Sequence, residues 1–380
     1  MKRSSYRYIA IPVVIALAVI FFILNKNPVL SGGSAGSFEY VRKAEIFLDK
    51  GDYRSAIRWL EKAIESSPEN RAIIDGLIYA YSKRAEELAG LERFSDAVEY
   101  MLKAYRVEQN QRTMQSLALV YAKKALHEAR RGDWPQASES LVNARLAAED
   151  SKNASRALGI TLYNDAAEEC KTGRNASAVF LLKHASLAYE DSHIYALMGD
   201  IYYRQSDLER ARFYLSKACA LDPKNAQLCG NLEKVSGELS LEGAKTVREV
   251  AHFRISHEKD LPIDIGFVAG VLEKAYKDVG GDLGYFPESA SGVFFYSTKN
   301  FREIFKVPDI VRAFYDGNLR LPFPDDAFGK KELASYLFHE YTHAVVSAKT
   351  NNNCPAWLNE GLAVWEEMRW TRPEAVINIS

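Results

Sequence analysis

Cysteine is scarce in this chain. Four cysteines, Cys170, Cys219, Cys229 and Cys354, occur among 380 residues, and no two of them form a CxxC pair. Neither a disulfide framework nor a thiolate zinc site can therefore organise the fold. The sequence favours four free, mostly buried thiols. The alternative is a bridge between Cys219 and Cys229 on neighbouring helices.

An excess of charge of either sign is also absent. The 49 basic and 50 acidic residues leave a formal net charge of -1 at pH 7. Proteins that bind nucleic acid through its phosphates carry an excess of basic residues, so we expect no nucleic-acid partner. A chain of this length exceeds one ordinary hydrophobic core, and two folded units are expected.

A long apolar run stands near the amino terminus. Residues 1–7 include Lys2, Arg3 and Arg7, and residues 8–24 are almost entirely apolar. This pattern predicts a transmembrane signal-anchor helix at residues 8–24 behind a cytoplasmic basic flank. A cleaved signal peptide is the alternative, but the run is long for one. The expectation is a single-pass membrane protein with a linker at residues 25–36 and its catalytic domain on the extracytoplasmic side, periplasmic or extracellular.

An alanine pattern then repeats five times. Each copy reads Ala-x-x-x-(Leu/Met)-x-x-Ala, and the copies begin at Ala56, Ala97, Ala137, Ala178 and Ala211. Small side chains let two helices approach closely, while the larger residue between them fills the groove. The pattern predicts a stack of helix pairs over residues 37–241.

The first and last copies resemble the tetratricopeptide repeat family. The residues that carry the resemblance are Tyr40, Ala44, Phe47, Gly51, Ala56, Leu60, Ala63 and Pro68 in the first copy, and Tyr195, Gly199, Tyr202, Ala211, Leu215, Ala218 and Pro223 in the last. The resemblance implies an α-solenoid whose concave face binds a protein or peptide partner. The middle copies are roughly 40 residues apart, against a family norm of about 34. Their first helices should therefore be about two turns longer.

Residues 247–380 have a different composition, which predicts an α+β domain. Residues 252–256 and 293–296 alternate or cluster apolar side chains as strands do, and residues 314–321 suggest a hairpin. Two helices should follow, at about residues 330–348 and 355–369.

The first of these two helices contains His339-Glu340-Tyr341-Thr342-His343. Four residues turn an α-helix through about 400°, so both imidazoles project from nearly the same side, at a spacing that suits one Zn²⁺ ion. Glu340 is adjacent to a ligand and can act as general base without coordinating the ion. The best third ligand is Glu360, within Trp357-Leu358-Asn359-Glu360-Gly361-Leu362-Ala363.

These two motifs resemble those of the gluzincin metallopeptidases, in particular the peptidase-MA-like domains. The resemblance implies a zincin-like fold in which His339, His343 and Glu360 bind zinc and Glu340 is the catalytic base. It also implies that substrate lies along an edge strand, which we place at residues 317–322. The aspartate that some gluzincins carry one turn after the third ligand is replaced by Val364. Glu367 is either its substitute, orienting a histidine, or a solvated helix charge.

No histidine follows His343, so the donor that would stabilise an oxyanion is not evident. Tyr296, Tyr315 and Tyr336 are the candidates for that role, although each is better explained as part of the core.

These features together predict a membrane-tethered, extracytoplasmic zinc peptidase that cleaves peptide bonds in protein substrates, with the repeats binding substrate or a partner. The alternative is a catalytically inactive repeat scaffold for the assembly of envelope proteins. The intact ligands and base favour the enzyme.

Overall fold

The computed structural model describes residues 35–323 and 329–371. The predicted signal-anchor at residues 8–24 lies outside these residues. No helix within the described ranges is long and apolar enough to cross a membrane. Even the 21-residue helix Lys330–Thr350 carries charged side chains such as Lys331, Glu332 and Glu340, which a bilayer interior disfavours. For the residues that the structure describes, this finding contradicts the prediction of a single-pass membrane protein.

Eleven helices occupy the described residues before the sheet. Consecutive helices pack as pairs, which confirms the predicted helical hairpins. They are α1 (Ala35–Asp49), α2 (Tyr53–Ser66), α3 (Arg71–Gly90), α4 (Phe94–Val107), α5 (Gln111–Arg130), α6 (Trp134–Ala148), α7 (Lys152–Lys171), α8 (Asn175–Ala188), α9 (Ser192–Arg204), α10 (Leu208–Leu221) and α11 (Ala226–Ser240). The chain divides into two compact units, residues 1–109 with α1 to α4 and residues 110–380 with the remaining elements.

The repeated alanines form the contact between paired helices. Ala56, Ala97, Ala137, Ala178 and Ala211 are all completely buried. Helices α3, α5 and α7 have 20 residues each where α9 has 13, a difference of about two turns. The spacing of the alanines in the sequence predicted this extension.

A disulfide joins Cys219, in the last turn of α10, to Cys229 in α11. The expectation of four free thiols is therefore wrong for this pair, whereas Cys170 and Cys354 are free. Pro223 and the short turn between the helices bring the two cysteines together, an arrangement that spacing alone leaves open.

A five-stranded sheet follows, and it was predicted only in part. Its strands are β1 (Lys245–Val250), β2 (Phe253–Glu258), β3 (Ser291–Ser297), β4 (Phe314–Tyr315) and β5 (Leu319–Phe323), in the spatial order β1-β2-β3-β5-β4. β2, β3 and β5 are parallel, whereas β1 and β4 run antiparallel to their neighbours. The hairpin of β4 and β5 was predicted, but β1 was not.

Four helices complete this region: α12 (Ile265–Leu283), α13 (Thr298–Phe305), α14 (Lys330–Thr350) and α15 (Ala356–Thr371). α12 and α14 pack on the sheet through buried side chains that include Leu272, Leu337 and Tyr341. The small sheet followed by two helices confirms the predicted α+β order.

The edge strand predicted at residues 317–322 needs correction. β4 pairs with β5 at Leu319 and Arg320, so this part of β5 is covered on both sides. The two-residue β4 arises because the tight turn at Asp316-Gly317-Asn318 lets the chain pair back on itself for only two residues.

A buried polar cluster, which we call the joint, connects the sheet to the last repeat helices. It consists of Tyr203 in α9, Glu238 in α11, Tyr296 in β3, Asp316, and Arg320 in β5. The guanidinium of Arg320 donates from Nη1 to Glu238 Oε2 at 2.5 Å and from Nε to Asp316 Oδ1 at 2.9 Å. The hydroxyls of Tyr203 and Tyr296 donate to Glu238 at 2.5 and 2.8 Å. Both charged partners are almost fully buried, so the carboxylate depends on these donors.

Removing one charge of the joint should destabilise the protein strongly. Arg320→Met leaves the Glu238 carboxylate buried without its cation, which typically costs about 3–5 kcal/mol. The double variant Glu238→Gln/Arg320→Met should recover part of this loss because no lone charge stays buried. Urea unfolding of the parent, Arg320→Met, Glu238→Gln and the double variant measures the coupling, and strictly additive losses would contradict the account.

Gly199 offers a test of the packing between repeat helices. A Cβ at this position would lie 2.6 Å from Leu215 Cγ and 2.9 Å from Leu215 Cδ2. Gly199→Ala should therefore destabilise the protein by about 1–3 kcal/mol through overpacking. Gly230→Ala in α11 is the control, because its Cβ meets nothing within 4 Å and alanine favours the helix. Equal unfolding midpoints for the two variants would show that α9 and α10 are not in such close contact.

Candidate metal centre

Helix α14 fixes the two histidines. Its buried side chains Leu333, Leu337 and Tyr341 recur every four residues and pack into the core of the sheet. His339 follows Leu337 by two residues, about 200° around the helix, so it faces away from the sheet and towards α15. His343 lies one turn further along. The centroids of the two imidazole rings are 4.9 Å apart, as their spacing in the sequence predicted.

Glu360 of α15 completes the cluster. Its Oε2 lies 3.8 Å from His339 Nε2 and 3.7 Å from His343 Nε2. One ligand atom from each of the three residues can be chosen so that all lie within 4.8 Å of one another. The three predicted ligands are therefore brought together, although 17 residues separate Glu360 from the nearer histidine in the sequence.

This donor set suits zinc. Bonds of about 2.0–2.1 Å in a tetrahedral site place neighbouring ligand atoms about 3.3 Å apart. The two carboxylate–imidazole separations exceed this value by about half an ångström, and every separation in the cluster is within 4.8 Å. Side-chain rotations can close these distances. Two imidazole nitrogens and one carboxylate oxygen leave a fourth position open, as in catalytic rather than structural zinc sites.

Glu367 orients His339. Its Oε2 lies 2.9 Å from His339 Nδ1, and its Oε1 accepts a hydrogen bond of 2.5 Å from Ser335 Oγ. A carboxylate at Nδ1 holds the proton there and leaves Nε2 with its lone pair towards Glu360. Of the two roles that the sequence left open for Glu367, the orienting role is the one the structure supports. The place of the missing aspartate is thus taken by a longer side chain one turn later.

Asn359 is the residue of α15 whose side chain influences His343. Burial lowers the pKa of His343, and the side chain of Asn359 acts in the opposite direction through hydrogen bonding. In the described part of the chain, His343 Nδ1 and Asn359 Oδ1 are both buried without a partner of good geometry. A small rotation that pairs them would satisfy both atoms. Sequence reasoning missed Asn359 and Ser335, and the only available signal for Asn359 was its place next to Glu360.

Glu340 has the environment of a general base. Its side chain is 5% exposed, and Oε2 has no hydrogen-bond partner among the described residues. Burial, with smaller contributions from Glu360 and Glu367, raises the pKa of Glu340 to about 8. A high proton affinity suits a group that must accept a proton, and a bound cation would lower this pKa towards neutrality.

The three candidate oxyanion donors lie in different parts of the structure. Tyr296 is fully buried and donates to Glu238 in the joint, which removes it from the cluster. Tyr315 lies in β4. Tyr336 precedes His339 by one turn on α14 and donates to Glu332 Oε1 at 2.9 Å. Burial, the hydrogen bond to Glu332 and nearby charges raise the pKa of Tyr336 to about 12, so its hydroxyl keeps its proton at neutral pH. Of the three candidates, Tyr336 is the one that lies on α14, the helix of both histidines.

Comparisons with known proteins concern the repeats. Residues 40–70 and 192–225 match models of the tetratricopeptide repeat. No curated protein matches the chain. Similar solved structures include a thermophilic tetratricopeptide repeat protein of Thermus thermophilus, with 17% identity over 53% of this chain and 98% of that one, at a TM-score of 0.22. A tetratricopeptide repeat protein of Parabacteroides merdae matches with 18% identity over 53% of this chain and 100% of that one, at a TM-score of 0.19.

A third match is PilW, described as a type IV pilus biogenesis factor, with 19% identity over 55% of this chain and 94% of that one, at a TM-score of 0.23. At these TM-scores the superpositions carry no argument, so the repeat assignment depends on the two matched segments and on the helix pairs. The chain thus contains tetratricopeptide repeats, which typically bind protein partners. Both matched segments end before the sheet begins at Lys245.

Replacing Glu367 tests whether it orients a ligand. Glu367→Gln keeps the shape of the side chain but removes the negative charge beside His339 Nδ1, and zinc affinity should fall about 10- to 100-fold. Glu288→Gln, an exposed carboxylate away from the cluster, is the control and should bind zinc as the parent does. Competition with a chromophoric chelator measures both constants. Equal zinc affinities of Glu367→Gln and the parent would show that Glu367 is only a solvated helix charge.

Proposed function

We propose that the region from Lys245 onwards is a zinc-dependent peptidase of the gluzincin type. The observation that carries this proposal is the convergence of His339 Nε2, His343 Nε2 and Glu360 Oε2 from two helices, with the buried Glu340 next to the first ligand. Metal clusters built for structure alone need no buried, unpartnered carboxylate beside a ligand. A hydrolytic site requires one.

The chain's own residues then have separate tasks. His339, His343 and Glu360 would hold the ion, while Glu367 and Asn359 keep the imidazoles in the tautomer that binds through Nε2. When bound, zinc supplies a Lewis acid that activates water near neutral pH. Glu340 accepts the proton that this water loses and returns it to the leaving amine. Tyr336 is the candidate for donating a hydrogen bond to the developing oxyanion.

The repeats have a role of their own in the proposal. Tetratricopeptide arrays bind peptides and proteins, and we assign to this one the capture of a protein substrate or of a partner that delivers it. The repeat matches by themselves favour a second candidate, a scaffold that assembles proteins without hydrolysis. In that case the cluster would bind zinc but would not hydrolyse peptide bonds.

One variant distinguishes the peptidase from the scaffold. Glu340→Gln preserves the size of the side chain and all three ligands but removes the proton acceptor, so the peptidase should lose about 10²- to 10⁴-fold in rate while still binding zinc. The measurement is cleavage of an unfolded protein such as reduced, alkylated casein by the zinc-loaded full chain, with zinc content determined in parallel.

The control is Glu288→Gln, which alters an exposed carboxylate that has no place in the proposed machinery. Its cleavage rate should stay within a few-fold of the parent. If the parent binds zinc stoichiometrically but cleaves no protein, the peptidase proposal is contradicted and the scaffold is supported. Equal activity of the parent and Glu340→Gln would show that a different site is responsible.

A further inference from the structure

The outward face of α15 carries several large apolar side chains, and its inward face mixes apolar and polar residues. Five large side chains on this helix are well exposed, including Trp357 at 75%. They are Trp357, Leu358, Val364, Trp365 and Met368, which we call the apolar strip. On the inward side of the same helix, Ala363 is completely buried and Glu366 is only 2% exposed. A surface helix normally presents polar side chains to solvent instead.

The strip is contiguous. Trp357, Val364 and Met368 are seven and four residues apart, so they follow one line along the helix axis, and Leu358 and Trp365 form a parallel line beside it. Gly361 lies between them and adds no side chain. Soluble proteins rarely expose apolar patches of this kind unless something binds there.

The ligand Glu360 lies within this face, one turn after Trp357 and one turn before Val364. Its side chain is 64% exposed, and its carboxylate points at the two histidines. It is the only charged residue between Trp357 and Val364 in the sequence. A polypeptide whose peptide bond reaches the cluster across α15 would therefore contact the apolar strip with the residues that flank that bond.

We propose that the apolar strip is the substrate-recognition surface of the candidate peptidase and that it selects large aliphatic or aromatic side chains next to the cleaved bond. The inference rests on the proposed function, because it takes Glu360 as a metal ligand. Folded proteins bury such side chains. The substrate class is therefore the apolar segments of unfolded or partly unfolded polypeptides.

Trp357 is the residue to change, because it is the most exposed of the five and its removal leaves no cavity. Ile310→Ala is the matched control, since Ile310 is 86% exposed in the same region but lies outside α15. The full chain, loaded with zinc, is assayed with two internally quenched peptides that have phenylalanine or serine on both sides of the central bond. Binding of the fluorescein-labelled phenylalanine peptide is measured by anisotropy in the Glu340→Gln background.

For Trp357→Ala, we expect kcat/KM on the phenylalanine peptide to fall about 10- to 100-fold, since a truncated central anchor has effects of this size. The serine peptide should be cleaved slowly and equally by the parent and by this variant. Peptide binding in the Glu340→Gln background should weaken by a similar factor. Ile310→Ala should match the parent throughout, and zinc affinity should be equal in all proteins.

Other outcomes separate this inference from the proposed function. If the parent binds the phenylalanine peptide through Trp357 but cleaves nothing, the recognition surface stands and the peptidase fails. If the parent cleaves both peptides and Trp357→Ala behaves as Ile310→Ala does, the peptidase stands and the strip is overturned. Loss of a sedimenting dimer in Trp357→Ala would also overturn the inference, because it would assign the strip to a second copy of the chain. Failure to bind or to cleave either peptide would overturn both.

Discussion

The ion pair of Arg320 with Glu238 is the interaction on which the arrangement of the second unit depends. It joins an inner strand of the sheet to the last helix of the repeats, and both side chains are almost fully buried. Such a pair is stable only while every donor and acceptor is satisfied, so Tyr203, Tyr296 and Asp316 must stay in register with it. The hairpin that carries Arg320 contacts α14, the helix of both histidines. The last repeat helices of the second unit and the candidate metal centre therefore share one continuous set of contacts.

The sequence predicted those features of the structure that depend on the spacing of neighbouring residues. The alanine repeats predicted the helix pairs, and the four-residue spacing of His339 and His343 predicted their common face. The contacts of Glu238 could not be predicted, because 82 residues separate it from Arg320 and a glutamate on a surface-like helix is usually solvated. Strand β1 was missed because four of its six residues are polar and none of the six is buried. Asn359 was missed because its task depends on how α15 packs against α14.

The two parts of the chain have different kinds of support. The repeats match a known family and, through it, a role in binding proteins. The metal centre depends on geometry and chemistry: three donors at suitable separations, a partner for the free nitrogen of His339, and a buried base. If both hold, the protein combines a partner-binding array with a hydrolytic site whose rim is apolar. Such a combination suits an enzyme that acts on unfolded chains presented to it.

Zinc X-ray absorption spectroscopy of the full chain tests the central claim most directly, because it reports the ligands themselves. The account predicts one zinc per chain, surrounded by nitrogen and oxygen at about 2.0–2.1 Å, with the outer-shell scattering of two imidazoles and no sulfur. His343→Ala should reduce this to one imidazole. A sulfur shell, a spectrum free of imidazole, or no bound zinc would contradict the account.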